Sequence, residues 1–368
     1  MTINFIPTRK INKINYNVDY YNSPYFKTYF FEYARQSIKI ALSLYGSYSD
    51  KTVLLPASLC PAVLQPFIDL NIKVYLYDLN EDFTVNEKSL FSLINKSVKF
   101  VYVIHYFGLI QDFRNLRNFC DEKGLVLIED CALCGYNTKL NIGQYGHFSV
   151  FSLWKFLPIS NGALLRINSS LSDIDTSKLE KSSIYYFVKY HIKNNIKNFL
   201  NKLKIYNFYK NYKLSKKEDN SLKLGFDKKI IAKKIFFYNK MIVDSENIFN
   251  FCSIRQNYFK QLSNLCLKLN VNFISYNIDK SVPYCFPLIC DDACDLQCYL
   301  IKFGVETEIS VNVPFDNPKY ILNFNIKFPH ITRLSKRILS IPIHQNICNK
   351  KFDNLLILIT NYFTKFEN

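Results

Sequence analysis

The sequence predicts an α/β protein with a mostly parallel central sheet covered by helices on both faces. Short apolar runs rich in β-branched and aromatic residues alternate with helix-like segments through the first half of the chain, and this alternation is typical of such sheets. The chain has 368 residues, of which 49% are hydrophobic and 16% aromatic, so it can bury a substantial core. Disordered and fibrous classes are therefore excluded.

Six apolar runs are predicted to be strands because each is short and β-rich. They lie near residues 52, 73, 99, 125, 148 and 163 and read TVLLP, KVYLYDL, KFVYVIHYF, LVLIED, FSVFSL and ALLRI. Helical spacing is found between them in PAVLQPFIDL, NEKSLFSLIN and FRNLRNFCDEKG, the last with Gly124 as a C-terminal cap. Upstream, residues 31–46 (FEYARQSIKIALSLYG) also predict a helix.

The pattern changes after residue 240. Helical spacing over ENIFNFCSIRQNYFKQLSNLCLKL is followed by a predicted strand at VPYCFPLIC and a helix from Asp291 to Phe303. These are followed by the segments GVETEISVN and LSIPIHQNI and by a closing helix at FDNLLILITNYF. We therefore predict a large α/β domain over residues 1–240 and a small α+β domain over residues 241–368.

The net charge of +17 arises from 47 Lys and Arg against 30 Asp and Glu, an excess that is common in nucleic-acid-binding proteins. Here the basic residues are mostly Lys, accompanied by many Asn, Ile, Tyr and Phe, which is the set that an AT-rich genome encodes. Much of the charge lies between residues 178 and 240, within a basic helical insert over about residues 178–225. A solvated helical face is the favoured interpretation of this segment, with contact to an anionic membrane or a nucleotide as the alternative. No nucleic-acid partner is expected.

The chain begins without the apolar core of an export signal, and its apolar runs are shorter than the roughly 18 to 20 residues of a membrane span. We therefore expect a cytoplasmic protein with no transmembrane segment. The eleven cysteines are scattered, which favours reduced, mostly buried thiols. Cys131 and Cys134 form a CxxC pair without a second cluster, so no metal site is predicted.

Several polar residues follow the predicted strands, and the carboxyl ends of parallel strands meet at one rim where ligands gather. Asp130 ends one strand, and Ser152 and Lys155 follow another; His105 and Cys60 follow two more. The first turn of the upstream helix adds Arg35, Gln36 and Ser37, whose backbone N–H groups could hold a phosphate.

A lysine and an acid at neighbouring strand ends are the pair that a pyridoxal phosphate site requires. The lysine amine forms a Schiff base with the cofactor, and the carboxylate holds the pyridine nitrogen protonated. Lys155 and Asp130 are therefore the candidate catalytic residues.

The order of motifs resembles the DegT/StrS family of pyridoxal-phosphate-dependent sugar aminotransferases of fold type I, and in particular its divergent members. The resemblance runs from about Ala34 to the C-terminus and rests on the motifs LLPASLCPAV, IHYFG, IEDCA, FSLWKFLPISNGALL, GVET and LSIPIH. It implies the fold type I architecture, a mostly parallel sheet with a smaller C-terminal α+β domain.

The resemblance also implies roles for individual residues. Lys155 would bind the cofactor covalently, and Asp130 would pair with the pyridinium nitrogen. The cofactor phosphate would contact Ser152 and the start of the helix at Arg35, Gln36 and Ser37. His105 would have a supporting role, and Cys60 would lie beside the cofactor, in the region where the family often has an aromatic residue.

The activity implied by the resemblance is transfer of an amino group, from glutamate, to a keto group of a nucleotide-linked sugar, in the biosynthesis of a surface polysaccharide or glycoconjugate by a homodimer. Leu133 departs from the family pattern, which usually has a polar residue there, and Ser160, Asn161 and Gly162 replace an acidic Gly-Gly sequence. Two alternatives therefore remain open. One is a non-catalytic homologue with a binding or assembly role, and the other is a different pyridoxal phosphate reaction such as sugar dehydration.

Overall fold

The computed structural model describes residues 3–4, 25–46, 50–137, 139–168, 173–202, 229–245, 248–309, 311, 321–323 and 325–364. Within these residues the chain forms a seven-stranded sheet and a separate three-stranded sheet, with helices packed around them. None of the described helices is both long enough and apolar enough to cross a lipid bilayer.

The large sheet contains all six of the strands predicted in the first half of the chain, and one more. Its spatial order is β1-β7-β6-β5-β4-β2-β3. Strands β2 to β6 pair in parallel, whereas β7 is antiparallel to β6 and β1 is antiparallel to β7. The strands are β1 (Lys27–Phe31), β2 (Thr52–Pro56), β3 (Lys73–Tyr77), β4 (Val98–Ile104), β5 (Val126–Asp130), β6 (Phe148–Ser152) and β7 (Ala163–Ile167).

The strands at the centre of this sheet are apolar along their length because both faces are covered. Every residue of β2, β5, β6 and β7 is buried. Such strands show continuous apolar runs instead of an alternating pattern, which is how the sequence reveals them. The unpredicted strand β1 is a partly exposed edge strand with the sequence KTYFF, so its apolar signal is weaker.

Four helices accompany the first five strands: α1 (Ala34–Ser43), α2 (Leu64–Asp69), α3 (Glu87–Ser92) and α4 (Arg114–Glu122). Helix α1 begins later than the predicted residue 31, because Phe31 still belongs to β1 and Tyr33 is the extended N-cap. Helix α4 ends as predicted before Gly124, which adopts a φ of +63°.

The rest of the chain contains six further described helices and the small sheet. The helices are α5 (Ile184–Lys202), α6 (Phe237–Ser245), α7 (Ile248–Lys268), α8 (Ala293–Lys302), α9 (Pro329–Leu334) and α10 (Asn349–Thr364). The small sheet has the antiparallel order β8-β10-β9, with strands β8 (Cys285–Ile289), β9 (Glu308–Ile309) and β10 (Ile338–Pro342).

The predicted domain boundary at residue 240 lies inside α6, and the division into two domains remains a prediction. Just before this helix, Lys234 forms an antiparallel bridge with Phe31 of the large sheet. Of the predicted basic insert, residues 184–202 are helical in α5, and residues 203–228 lie outside the described part of the chain.

Candidate active site

A cavity of about 520 Å³ lies at the carboxyl ends of β4, β5 and β6. The small sheet closes one side of it through Tyr284, Cys285, Glu308 and Ile309. Five of the residues that the sequence singles out line this cavity together: Lys155, Asp130, Ser152, Arg35 and Cys60. A cavity of this size falls in the range of about 300–1,000 Å³ that is usual for small-molecule sites.

Asp130 is the last residue of β5, and its carboxylate is fixed by two hydrogen bonds. Oδ2 accepts the hydroxyl of Tyr102 at 2.6 Å, and Oδ1 accepts the backbone N–H of Ala132 at 2.7 Å. Burial raises the pKa of Asp130, although the bonds from Tyr102 and Ala132 and the nearby Lys155 ammonium act in the opposite direction. The carboxylate is therefore oriented into the cavity and would gain from a cationic partner there.

Lys155 follows β6 at the end of a short helical turn, Leu153–Lys155. Its Nζ lies 5.6 Å from the ring centroid of Tyr284, which belongs to the wall made by the C-terminal half of the chain. The amine and the Asp130 carboxylate therefore line the same cavity from adjacent strands, as parallel pairing of β5 and β6 requires.

The start of α1 and the end of β6 form the side of the cavity that suits an anion. Ala34 and Arg35 line it, and the first N–H groups of a helix have no partner within the helix. Ser152, the last residue of β6, contributes a hydroxyl. A guanidinium, a hydroxyl and a helix N-terminus are a suitable set of groups for a phosphate.

Gln36 and Ser37, although predicted to belong to this group, do not line the cavity. Gln36 accepts the backbone N–H of Tyr33 at 3.2 Å and donates to the carbonyl of Ile231 at 2.9 Å, so it closes the helix end. Ser37 is completely buried, and its Oγ has no hydrogen-bond partner among the described residues. Both face the core because α1 turns them away from the cavity.

His105 is also buried behind the cavity, where it pairs with Glu129 of β5. Its Nε2 lies 2.8 Å from Glu129 Oε1, its Nδ1 accepts the N–H of Gln111 at 3.1 Å, and its ring stacks on Phe113. An Nδ1 that accepts an amide N–H carries no proton, so the ring is the neutral tautomer that donates from Nε2. The structure thus gives His105 contacts with the strand that ends in Asp130 and none with the cavity.

Glu129 anchors this buried network. Its Oε2 accepts the N–H groups of Tyr145 at 2.8 Å and Gly146 at 2.6 Å. Burial raises the pKa of Glu129, but the bonds from His105 and from these two amides outweigh it and hold the pKa below its usual value. Cys131 lies beside the pair, with one donor atom of each of the three side chains within 4.8 Å of the others. Burial raises the pKa of the Cys131 thiol well above its usual value. The absence of a metal site, expected from the sequence, stays a prediction.

Comparisons with known proteins add to this geometry. Residues 33–164 match the model of the DegT/DnrJ/EryC1/StrS aminotransferase family, a range that includes α1, β5, β6, Asp130 and Lys155. This region of the chain is therefore similar to that aminotransferase family. The resemblance identified from the sequence motifs is therefore confirmed.

Individual relatives agree with the family match. The chain is 29% identical over 141 residues to GDP-perosamine synthase from Vibrio cholerae, covering 37% of this chain and 38% of that protein. It is 24% identical over 130 residues to L-glutamine:2-deoxy-scyllo-inosose aminotransferase from Streptomyces kanamyceticus, covering 34% and 30%. The matches thus span about a third of the length of these curated relatives.

The solved structures extend the similarity of fold to most of the chain. The crystal structure of ntda from Bacillus subtilis, with bound cofactor PMP, superposes with a TM-score of 0.65 at 14% identity, covering 92% of this chain and 73% of that one. The predicted fold type I architecture is therefore confirmed, including its smaller C-terminal part.

Several cavity residues were not singled out from the sequence, and some of them lie outside the family match. Tyr284 and Glu308 reach the cavity from far along the chain, and Tyr102 lies inside a strand run in which it reads as one more apolar residue. Only the alternation of side chains along β4 could have signalled Tyr102. Leu133, which departs from the family pattern, does line the cavity and gives it an apolar surface.

Two residues hold the Tyr284 wall against the large sheet. Gly108 adopts a φ of +82°, and a Cβ on it would lie 2.1 Å from the carbonyl oxygen of Leu133 and 2.7 Å from the nitrogen of Tyr284. Arg255 of α7 is completely buried and donates from Nη1 to the carbonyls of Pro283 at 2.9 Å and Tyr284 at 3.1 Å. These contacts fix the wall of the cavity that Tyr284 forms.

Proposed function

We propose that this protein is a pyridoxal-phosphate-dependent aminotransferase that uses Lys155 and Asp130. The observation that carries the proposal is that the Lys155 amine and the oriented Asp130 carboxylate line one cavity, together with Arg35 and Ser152. The match of residues 33–164 to an aminotransferase family supports the same activity.

The residues of the cavity fit the cofactor group by group. Asp130 is a buried carboxylate that is already held by Tyr102 and Ala132, and a protonated ring nitrogen would supply its missing cationic partner. Ser152, Arg35 and the start of α1 would hold the phosphate. Lys155 supplies the amine that binds the cofactor aldehyde.

When bound, pyridoxal phosphate supplies an electron-accepting ring next to the reacting carbon. The chain's own groups control the protons around it. Asp130 would hold a negative charge beside the ring nitrogen of the bound cofactor, and Tyr102 orients that carboxylate. Lys155 Nζ lines the same cavity and would be placed to accept a proton from the amino donor and to give it back.

Apolar side chains around the reacting groups keep water away from them. The small-sheet wall and the apolar Leu133 line the cavity together with Lys155 and exclude water from it. The cavity also contains apolar contributions from Ile38, Leu59, Val63, Ile104, Phe107 and Val150.

For the substrates, we propose an amino acid donor, with glutamate first, and a keto group on a nucleotide-linked sugar, in the biosynthesis of a surface polysaccharide or glycoconjugate. GDP-perosamine synthase carries a nucleotide-linked sugar in its name, which supports this acceptor class. The name of the second relative includes L-glutamine, so glutamine is the donor to compare. A net charge of +17 suits a diphosphate-bearing substrate.

The test is a donor half-reaction. Protein loaded with pyridoxal phosphate is mixed with glutamate or with glutamine, and the change in the visible spectrum and the 2-oxo acid released are measured. We expect one donor to convert the cofactor in the wild type, no conversion in Lys155→Ala, and normal conversion in the exposed control Lys123→Ala. Absence of a visible band after incubation of the wild type with the cofactor would contradict the proposal.

A catalytically altered homologue with a binding role is the second candidate, because the apolar Leu133 lines the cavity where the family usually has a polar residue. It predicts cofactor binding without release of a 2-oxo acid from any donor. Dehydration of the sugar, the other reaction left open, would change the acceptor without consuming a donor.

We further propose that the protein works in the cytoplasm as a homodimer. The dimer is an expectation from the family resemblance, and sedimentation velocity at micromolar concentration tests it. A mass of one chain across the concentration range would contradict it.

A further inference from the structure

Helix α5 has an apolar stripe on its exposed side. Ile184, Val188, Ile192 and Ile196 follow one another at intervals of four residues, and their exposed fractions are 59, 43, 54 and 54%. Residues spaced in this way lie along one side of a helix. Asn195, a polar residue, lies within the same arc.

The opposite side of α5 is attached to the protein. The ring of Phe187 packs against Phe236 with a centroid distance of 5.1 Å and against Tyr238 at 5.5 Å. The stripe therefore faces outwards while the helix is held by aromatic contacts behind it. The exposed side thus carries an apolar stripe in addition to the solvated, charged residues that the sequence favoured.

Positive charge borders the stripe. The sequence of α5 contains four lysines and no acidic residue. Lys189 and Lys193, each one residue after a member of the stripe, are exposed. Tyr185 and Tyr186 are also half exposed near the start of the helix. An apolar stripe with a lysine border and interfacial aromatic residues is the pattern of a helix that lies in the surface of a membrane.

We propose that α5 docks the protein on the surface of an anionic lipid bilayer, with Ile184, Val188, Ile192 and Ile196 entering the headgroup region and Lys189 and Lys193 contacting lipid phosphates. Charge decides between this partner and a second copy of the chain. A two-fold contact through the stripe would bring the two lysine borders together, whereas an anionic surface is complementary to them and to the net charge of +17.

Vesicle co-sedimentation of the full chain tests this proposal. The probes are vesicles of phosphatidylglycerol and phosphatidylcholine in equal parts, and vesicles of phosphatidylcholine alone. We expect binding to the anionic vesicles that is at least about tenfold stronger than to the neutral ones and that weakens at high salt. The variant Ile192→Asn/Ile196→Asn should lower the affinity at least about tenfold, because both side chains lose their apolar burial.

The matched control is Leu267→Asn/Ile357→Asn, which removes two apolar side chains with exposures of 69 and 55% from other helices. This control should bind vesicles as the wild type does. Circular dichroism and the melting temperature of both variants show whether they fold.

Two results would overturn the proposal. One is binding that the stripe variant retains in full, since the attraction would then be general electrostatics. The other is a wild-type protein that does not bind anionic vesicles. If the stripe variant also changes the sedimentation mass in that case, a second copy of the chain covers α5.

Discussion

Replacing Tyr102 by phenylalanine is expected to weaken the binding of pyridoxal phosphate without disturbing the core. The substitution removes only the hydroxyl that donates to Asp130 Oδ2 at 2.6 Å, and the ring keeps its edge contact with Phe67. Burial already raises the pKa of Asp130, and the Tyr102 bond opposes that effect. Without it the neutral acid is favoured, and the ring nitrogen of the cofactor loses part of its anionic partner.

The size of the effect follows from the geometry. A hydrogen bond to a charged group contributes about 1.5–3 kcal/mol, and both partners are buried here. If the full contribution is lost on binding, the dissociation constant of the cofactor rises about 10- to 150-fold, since each 1.4 kcal/mol is tenfold. Because the loss acts through the protonation of Asp130, it should be larger at low pH than at high pH.

Titration of the apoprotein with pyridoxal phosphate, followed by absorbance at several pH values, measures this constant. The matched control is Tyr77→Phe, which removes a buried hydroxyl that donates to the carbonyl of Tyr102 at 2.8 Å and does not reach Asp130. Tyr77→Phe should lose about 0.5–1.5 kcal/mol of stability, the usual contribution of a neutral hydrogen bond, and should keep the cofactor affinity of the wild type, whereas Tyr102→Phe should lose affinity. Equal affinities of Tyr102→Phe and the wild type at every pH would refute the assigned role of Asp130.

Four further variants test the surroundings of the site by urea denaturation. Gly108→Ala should lower the free energy of unfolding by more than about 3 kcal/mol, because its Cβ would overlap backbone atoms of two other segments. Gly124→Ala, with open space around it, should lower it by about 1–2 kcal/mol. Similar losses of stability for the two variants would be inconsistent with the packing described. Glu129→Gln should lose about 1–3 kcal/mol at neutral pH. The pKa of Glu129 is lowered in the folded protein, so its contribution to stability is present above the usual value of 4.5 and is lost as the pH falls through the lowered value. The stability difference between Glu129→Gln and the wild type should therefore narrow in acid. A stability difference independent of pH would contradict this. Arg255→Met should leave the carbonyls of Pro283 and Tyr284 without their Arg255 donor, and each loss should cost about 1–3 kcal/mol of stability. The variant should also bind the cofactor more weakly. Unchanged cofactor affinity would mean that Arg255 does not support the cavity wall.

Local sequence patterns predicted most of the large sheet, because its central strands are short apolar runs bounded by polar residues. The edge strand β1 was missed, since its half-exposed face dilutes the apolar signal. The antiparallel orientation of β7 could not be predicted either, because the run of residues in a strand does not encode the direction of its neighbour.

The site could be predicted only where its residues follow strands. Asp130, Ser152 and Lys155 belong to that group, since parallel pairing brings strand ends together. Tyr284 and Glu308 depend on how the C-terminal part of the chain packs over the sheet, which local patterns do not show. The same holds for the completely buried Arg255, whose charged side chain reads as a surface residue.

Helix geometry explains why Gln36 and Ser37 differ from their neighbour Arg35. Successive residues of a helix point in directions about 100° apart, so one residue of the first turn can face a ligand while the next two face the core. His105 shows the corresponding effect at a strand end, where its side chain turns towards Glu129 and away from the cavity.

Reduction of the cofactor-loaded protein with borohydride, followed by peptide mapping, tests the central claim most directly. Reduction makes the bond between a lysine amine and the cofactor permanent, so the modified residue can be identified by mass. We predict a pyridoxyl group on Lys155 and stoichiometric labelling at that lysine. Labelling of another lysine in its place, or no labelling at all, would contradict the account.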